Sequence, residues 1–239
     1  MNTLGLVVNE IGLESLMSEL LRQVIAPVAA ALYPDEPHCG SLDHHHSFVV
    51  EYRLPPKSAA TFAGFDHGGV SGGGDTGLDM HHDASEATLN VCLGREGFEG
   101  AGLRFCGRFG SSNHRHTQLV ATHTKGRAIL HLGRHRHGAD DLTSGERMNL
   151  IVWAKSSVFR AAAAYGHVPL DGYPKAVEEV WGPDGDGGGR GPDKLCLSSA
   201  NDRDYEEQFK RVMLLNHRAA DGAALEVDGA AKRKVDDVL

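Results

Sequence analysis

The chain reads as a mainly β domain, two facing sheets with helix on one side. Three observations predict this. Short segments rich in branched apolar residues recur from Ser47 to Ser156, separated by Gly, Pro and Asp, the pattern of strands and tight turns. One earlier segment, 13–32, repeats its apolar residues at helical spacing instead. The length of 239 residues suits a single barrel or sandwich with one core. Helix first and strands after predict a sandwich or double-sheet barrel with helical buttressing.

In chain order, residues 1–12 read as a short lead-in. Leu13, Leu16, Met17, Leu20, Leu21, Val24, Ile25 and Val28 then fall on one helical face. Pro27 is expected to kink that helix or split it. A helix packed on a sheet is the ordinary reading; a partner-binding helix is the alternative. Pro34 and Pro37 break the chain into a loop. His44-His45-His46 precedes a strand from Ser47 to Leu54. Consecutive strand residues alternate sides, so at most two of the three histidines converge, and the run reads as solvated or packing. Tyr52 is either a core tyrosine or points inward toward a ligand.

Segment 55–79 holds seven glycines, including Gly72-Gly73-Gly74. A loop this long is either a functional flap or an inert insertion. Strands follow at Thr88–Leu93, Ala101–Gly107 and Gln118–Thr124. His114-Arg115-His116 falls in a polar connection and reads as exposed. Phe159 to Tyr165 starts a short helix. Beyond Trp181 the composition shifts to a glycine-rich stretch, 182–193, that cannot bury enough apolar surface to order itself. Asp204 to His217 regains helical spacing through Tyr205, Phe209, Val212 and Met213. Residues 219–239 read as a frayed tail with a basic run, Lys232-Arg233-Lys234. The expected division is helical support over 1–46, a core over 47–160, an extension over 161–181, and a linker with tail over 182–239.

Composition narrows the partners. Hydrophobic residues at 41% and charged residues at 23% are ordinary for a globular chain. A net charge of −8 argues against nucleic acid, which wants a basic face. Four cysteines without a CxxC point to a reducing, intracellular setting, expected to be the cytoplasm. The basic tail run would address the nucleus as the alternative. No uninterrupted apolar run reaches a membrane span, and no basic stretch followed by an apolar core marks a signal peptide. Nothing in the sequence sets an oligomeric state.

The chemistry concentrates in 78–94. His81 and Asp83 stand two residues apart, so on an extended strand both leave the same face and can grip one ion. His82 points the other way. A third ligand must come from elsewhere, and 126–153 offers His131, His135 and His137 on a segment running to a turn at Ser144-Gly145. Met148 to Trp153 is expected to return antiparallel to it. Two His and one carboxylate form the facial triad of non-haem Fe(II) oxygenases, with three positions open. An arginine beyond the distal His can hold the far carboxylate of a dicarboxylic cosubstrate. Arg147 stands ten residues after His137. On these grounds alone His131 and His135 remain rivals of His137.

These stretches carry a family resemblance. Asn2 to Val8 with Ile11-Gly12-Leu13, then Phe48-Val49-Val50-Glu51-Tyr52, belong to it. So do His81-His82-Asp83 with Glu86 to Gly94, Leu130-His131-Leu132-Gly133, His137-Gly138-Ala139 and Gly145 to Trp153. The chain resembles the iron- and 2-oxoglutarate-dependent oxygenases of the prolyl 4-hydroxylase-like type. It is most similar to the family called 2-oxoglutarate and iron-dependent oxygenase domain-containing protein 2. The likeness runs from residue 2 to about 156.

The resemblance implies a double-stranded β-helix, or jelly roll. It implies Fe(II) held by His81, Asp83 and His137, with 2-oxoglutarate as cosubstrate and its distal carboxylate on Arg147. Tyr52, Thr88 or Asn90 are expected to assist that carboxylate. O2 and, as reductant, ascorbate complete the requirements. The implied activity is oxidative decarboxylation of 2-oxoglutarate coupled to hydroxylation of a substrate, such as a peptidyl residue, that the sequence does not identify. His131 and His135 then become surface or supporting residues. Two rivals stand beside this: a catalytically silent metal-binding jelly roll, and a zinc hydrolase, which would want a glutamate base near the ligands. The glycine-rich segment before His81 is longer than the family pattern, and the long N-terminal sequence of animal relatives is absent.

Overall fold

The computed structural model describes residues 5–54 and 76–161, apart from 96, 110, 112 and 115. Most of the glycine-rich 55–79 segment and everything beyond 161 lie outside the described residues. So do the expected linker, the 204–217 helix and the tail.

Eleven strands are present: β1 (Gly5–Val7), β2 (His44–Arg53), β3 (Leu78–His81), β4 (Ala87–Gly94), β5 (Glu99–Gly100), β6 (Leu103–Arg108), β7 (Leu119–Ala121), β8 (Ala128–Leu132), β9 (His135–Ala139), β10 (Leu142–Ser144) and β11 (Glu146–Lys155). They form a five-stranded sheet, β1-β2-β11-β4-β8, a four-stranded sheet, β3-β9-β6-β7, and a small β10-β5 pair. Every recorded pairing is antiparallel. The architecture is the expected jelly roll, mainly β with flanking helix.

Helix α1 (Glu14–Leu32) lies against the outer face of the five-stranded sheet. Met17, Leu21, Ile25 and Ala29 bury one stripe of it against Leu89, Leu132, Leu150, Val152 and Ala154. The helix is long and apolar enough to cross a membrane by length and composition. Its buried stripe shows it instead as part of the core. Pro27 does not end it, but α-helix over Glu14–Leu20 and Ala26–Leu32 is interrupted just before the proline. The turn before the proline widens to a π-helix over Leu21–Ile25, the local adjustment that accommodates a residue without an N–H. A second core cluster fills the space between the sheets, with Val50, Tyr52 and Ile151 meeting Ala101, Leu103, Phe105, Ala139 and Leu142.

Three expectations change. The lead-in is structured: β1 adds an edge strand to β2, with Leu6 opposite Val49. The histidine-bearing segment and Met148–Trp153 do not form one hairpin. β9 pairs with β3 and β6, while β11 inserts between β2 and β4 in the opposite sheet. The crossing is made by β10 and a turn at Gly145, whose φ of 76° demands glycine. His114 is buried, not exposed, and stacks on His82 with ring centroids 5.8 Å apart. Helix α2 (Ser157–Ala161) closes the described chain. Its Phe159 packs on the His38 ring at 4.8 Å. Cys39 and Cys92 are buried free thiols.

Candidate metal centre

His81, Asp83 and His137 meet at one end of the space between the sheets, and their ligand atoms all lie within 4.8 Å of one another. Cross-strand pairing brings the two histidines together, because His81 on β3 stands opposite His137 on β9. Their ring centroids are 4.4 Å apart. Asp83 is not on the same strand as His81, contrary to the spacing argument. β3 ends at His81, and Asp83 follows in a loop. Its N–H donates to the Gly133 carbonyl at 2.9 Å, and the Gly133 N–H donates to the Glu86 carbonyl at 3.2 Å. A Cβ at Gly133 would collide with the Ser85 backbone, so only glycine allows this loop to seat.

Both imidazoles are oriented by their own backbone. His81 Nδ1 lies 2.7 Å from the Asp79 carbonyl, and His137 Nδ1 lies 2.9 Å from the His135 carbonyl. A carbonyl only accepts, so each Nδ1 carries the proton and each Nε2 keeps its lone pair. Those Nε2 atoms face Asp83, at 3.4 Å from Oδ1 for His81 and 3.5 Å from Oδ2 for His137. Burial drives the His137 ring well below its ordinary pKa. Burial alone would raise the Asp83 carboxyl, whereas positive charge on the neighbouring His137 and His81 would lower it, and the net direction is down. One carboxylate and neutral imidazoles make the charge state a divalent cation requires.

Asp83 is itself held. The Thr88 hydroxyl donates to Oδ2 at 2.6 Å. With its proton committed there, Thr88 accepts from Ser85 Oγ at 2.7 Å. Thr88 therefore serves Asp83 rather than a cosubstrate carboxylate, which corrects the expected role. A second clamp fixes the same loop. Glu86 accepts from the Ser156 N–H at 2.6 Å and from Arg160 at 3.1 and 2.9 Å, while Arg160 also donates to the Ala84 carbonyl. Residues this far apart in sequence gave no local signal of that contact.

Arg147 is fully buried on β11. Its guanidinium lies over the Tyr52 ring, 4.8 Å from the centroid. Nε donates to Asn149 Oδ1 at 3.1 Å, and Nη1 donates to the Ala101 carbonyl. Nη2 has no hydrogen-bond partner among the described residues. Tyr52 thus supports the arginine with its ring face and with a side-chain hydrogen bond. Asn90 binds Asn149 Nδ2 at 2.7 Å, and buried His123 accepts from the same amide at 3.3 Å. His123 was not foreseen, since the strand expected over Gln118–Thr124 carries it without a motif. Burial, then the Arg147 charge, takes its pKa down to about 4.

The residues present fit the groups the sequence implied. Two neutral imidazoles with one carboxylate suit Fe(II). A buried guanidinium with one unspent donor suits a carboxylate. His131 and His135 are not in the ligand set, yet His131 is buried beside it, 3.9 Å from Asp83 Oδ2.

No family model matches the chain. Individual relatives do. The chain is 40% identical over 171 residues to 2-oxoglutarate and iron-dependent oxygenase domain-containing protein ICU11 of Arabidopsis thaliana, covering 69% of this chain and 38% of that one. It is 38% identical over 163 residues to human 2-oxoglutarate and iron-dependent oxygenase domain-containing protein 2, covering 67% of this chain and 40% of that one. Among solved structures, a 2OG-Fe(II) oxygenase family oxidoreductase from Burkholderia pseudomallei aligns with a TM-score of 0.39 at 17% identity, over 59% of this chain and 55% of that one. The chain spans about two-fifths of the length of the curated relatives quoted. Over that shared span it belongs to the 2-oxoglutarate and iron-dependent oxygenase domain family, whose cofactors are Fe(II), 2-oxoglutarate and O2.

Proposed function

We propose that the chain is a 2-oxoglutarate-dependent dioxygenase that hydroxylates its substrate, with iron ligated by His81, Asp83 and His137. The observation that carries this is the pairing of two sites on one interior. Three ligand atoms lie within 4.8 Å of one another, and a buried Arg147 keeps its Nη2 without a hydrogen-bond partner among the described residues. When bound, the iron and its cosubstrate supply the oxidative decarboxylation that drives hydroxylation.

The chain's own residues do the remaining work. His81 and His137 present Nε2 lone pairs, because backbone carbonyls fix their Nδ1 protons. Thr88 holds Asp83 in place. Arg147, levelled by Tyr52 and Asn149, would receive the distal carboxylate through Nη2. The apolar lining of Leu103, Phe105 and Ile151 excludes water between the sheets.

A peptidyl residue is the substrate class we favour. Among the described residues β3 is an edge strand, and it carries His81, the ligand with partial exposure. An extended peptide laid along that edge would bring a side chain to the metal.

The test is succinate release from 2-oxoglutarate with Fe(II) and ascorbate, followed by a peptide-library assay for the gain of one oxygen. Turnover should depend on both Asp83 and Arg147. Full metal occupancy without any 2-oxoglutarate turnover would leave the silent scaffold as the better reading.

A further inference from the structure

His131 is the unexplained group at this centre. It lies on β8, opposite Thr88 of β4, and faces the interior. It is only 3% exposed. Its Nδ1 lies 3.0 Å from the Leu132 carbonyl, so the proton sits on Nδ1 and Nε2 is a bare acceptor. That Nε2 has no hydrogen-bond partner among the described residues. It looks across 3.9 Å at Asp83 Oδ2, another acceptor. Two buried acceptors facing each other repel, and an unmade buried hydrogen bond is costly. A donor shared between them removes both penalties. His131 is not among the three ligand atoms that lie mutually within 4.8 Å, which sets it beside the ligand set rather than in it. The 3.9 Å gap is instead the separation that one water, donating to each side, would bridge.

We propose that His131 is a positioning residue whose Nε2 accepts a hydrogen bond from a water lying between it and Asp83 Oδ2, on the open side of the metal site. This inference rests on the metal-centre reading above. Its chemistry is that of an acceptor placed against the position a water must vacate before another ligand enters. The ring also packs, edge-on to His137 at 4.3 Å and to Phe105 at 5.2 Å. Packing and accepting are therefore the two roles to separate.

Two substitutions separate them. His131→Phe keeps an aromatic ring against Phe105 and His137 and deletes the lone pair. His131→Gln loses the ring and keeps an acceptor. Mn(II) affinity, read from the free-ion spin-resonance signal, is the measurement, with thermal melting as the check on folding. The acceptor role predicts that His131→Phe weakens Mn(II) binding by about 10-fold or more, the usual scale for groups behind the ligands, and that His131→Gln stays near wild type. Equal Mn(II) affinity in wild type and His131→Phe overturns the proposal, as does loss in His131→Gln with retention in His131→Phe. If either variant fails to fold, the unmodified protein decides. In a Mn(II)-soaked crystal, a water within hydrogen-bond reach of both Nε2 and Oδ2 supports the proposal. Nε2 bonded directly to Mn(II), or no atom between the two acceptors, overturns it. Wild-type protein that does not take up Mn(II) would instead sink the metal-centre reading on which the proposal stands.

Discussion

The two faces of the five-stranded sheet are built from alternate residues of the same strands, yet they do different things. On the outer face, Leu89, Leu150 and Val152 meet the buried stripe of α1. On the inner face, Thr88 and Asn90 of β4 and Arg147 and Asn149 of β11 are all buried and polar. A period of two assigns the faces. What separates them is the cost of burial. The outer residues gain by leaving water, whereas each inner polar group needs a partner or loses stability. Nearly every inner group has one. Among the described residues three of them keep an unpartnered atom, the donors Arg147 Nη2 and Trp153 Nε1 and the acceptor His131 Nε2, and the first and last are those assigned above to a ligand.

Substitutions on the two faces should therefore fail differently. The largest effect is expected from Asp83→Ala, which removes the only charged ligand. Metal affinity should fall by more than about 100-fold, beyond the loss expected for a supporting residue, and calorimetric titration with Mn(II) reads it. Arg147→Met should leave Mn(II) binding intact and weaken 2-oxoglutarate. Truncating one side of a buried charge pair costs roughly 2–5 kcal/mol, measurable as a raised Kd for the cosubstrate on the Mn(II)-loaded protein. Leu150→Ala probes the outer face. A cavity under α1 should cost about 2–5 kcal/mol in urea unfolding while the folded fraction binds metal normally. Coupled loss of metal affinity in Leu150→Ala would show that the two faces are not independent.

Smaller effects sharpen the contrast. Thr88→Val keeps the volume and removes the donor to Asp83 Oδ2. Metal affinity should drop by about 10-fold, with little change in unfolding, and Thr88→Ser should restore it. A pH slope completes the comparison. Burial holds His123 and His135 at about 4 against an ordinary value of 6.5. Between those values the unfolded chain binds protons that the folded one refuses. Stability from these groups is therefore complete above 6.5 and falls as pH drops toward 4. Urea midpoints across that range check it, and His123→Gln should flatten the slope.

Much of the site was legible because its chemistry is local. His-x-Asp names two candidate ligands within three residues, and the step from His137 to Arg147 spans one crossing between strands. The errors came where spacing was read as regular geometry. Asp83 was expected on a strand and sits in a loop clipped to Gly133, because hydrogen bonds from a distant turn outweigh the extended preference of a short segment. His114 was expected in solvent, and the stack on His82 buries it. Thr88 was expected at the cosubstrate, and Asp83 claims its proton.

By itself, the sequence determined which residues alternate, where the helix lies, and which side chains are chemically able to hold iron and a dicarboxylate. Those are properties of neighbours along the chain. Only the tertiary structure decided that β9 and β11 belong to opposite sheets, that Thr88 orients Asp83, and that His131 is inside. Each of these depends on contacts between residues far apart in sequence, whose free energy comes from shared burial and leaves no trace in local pattern.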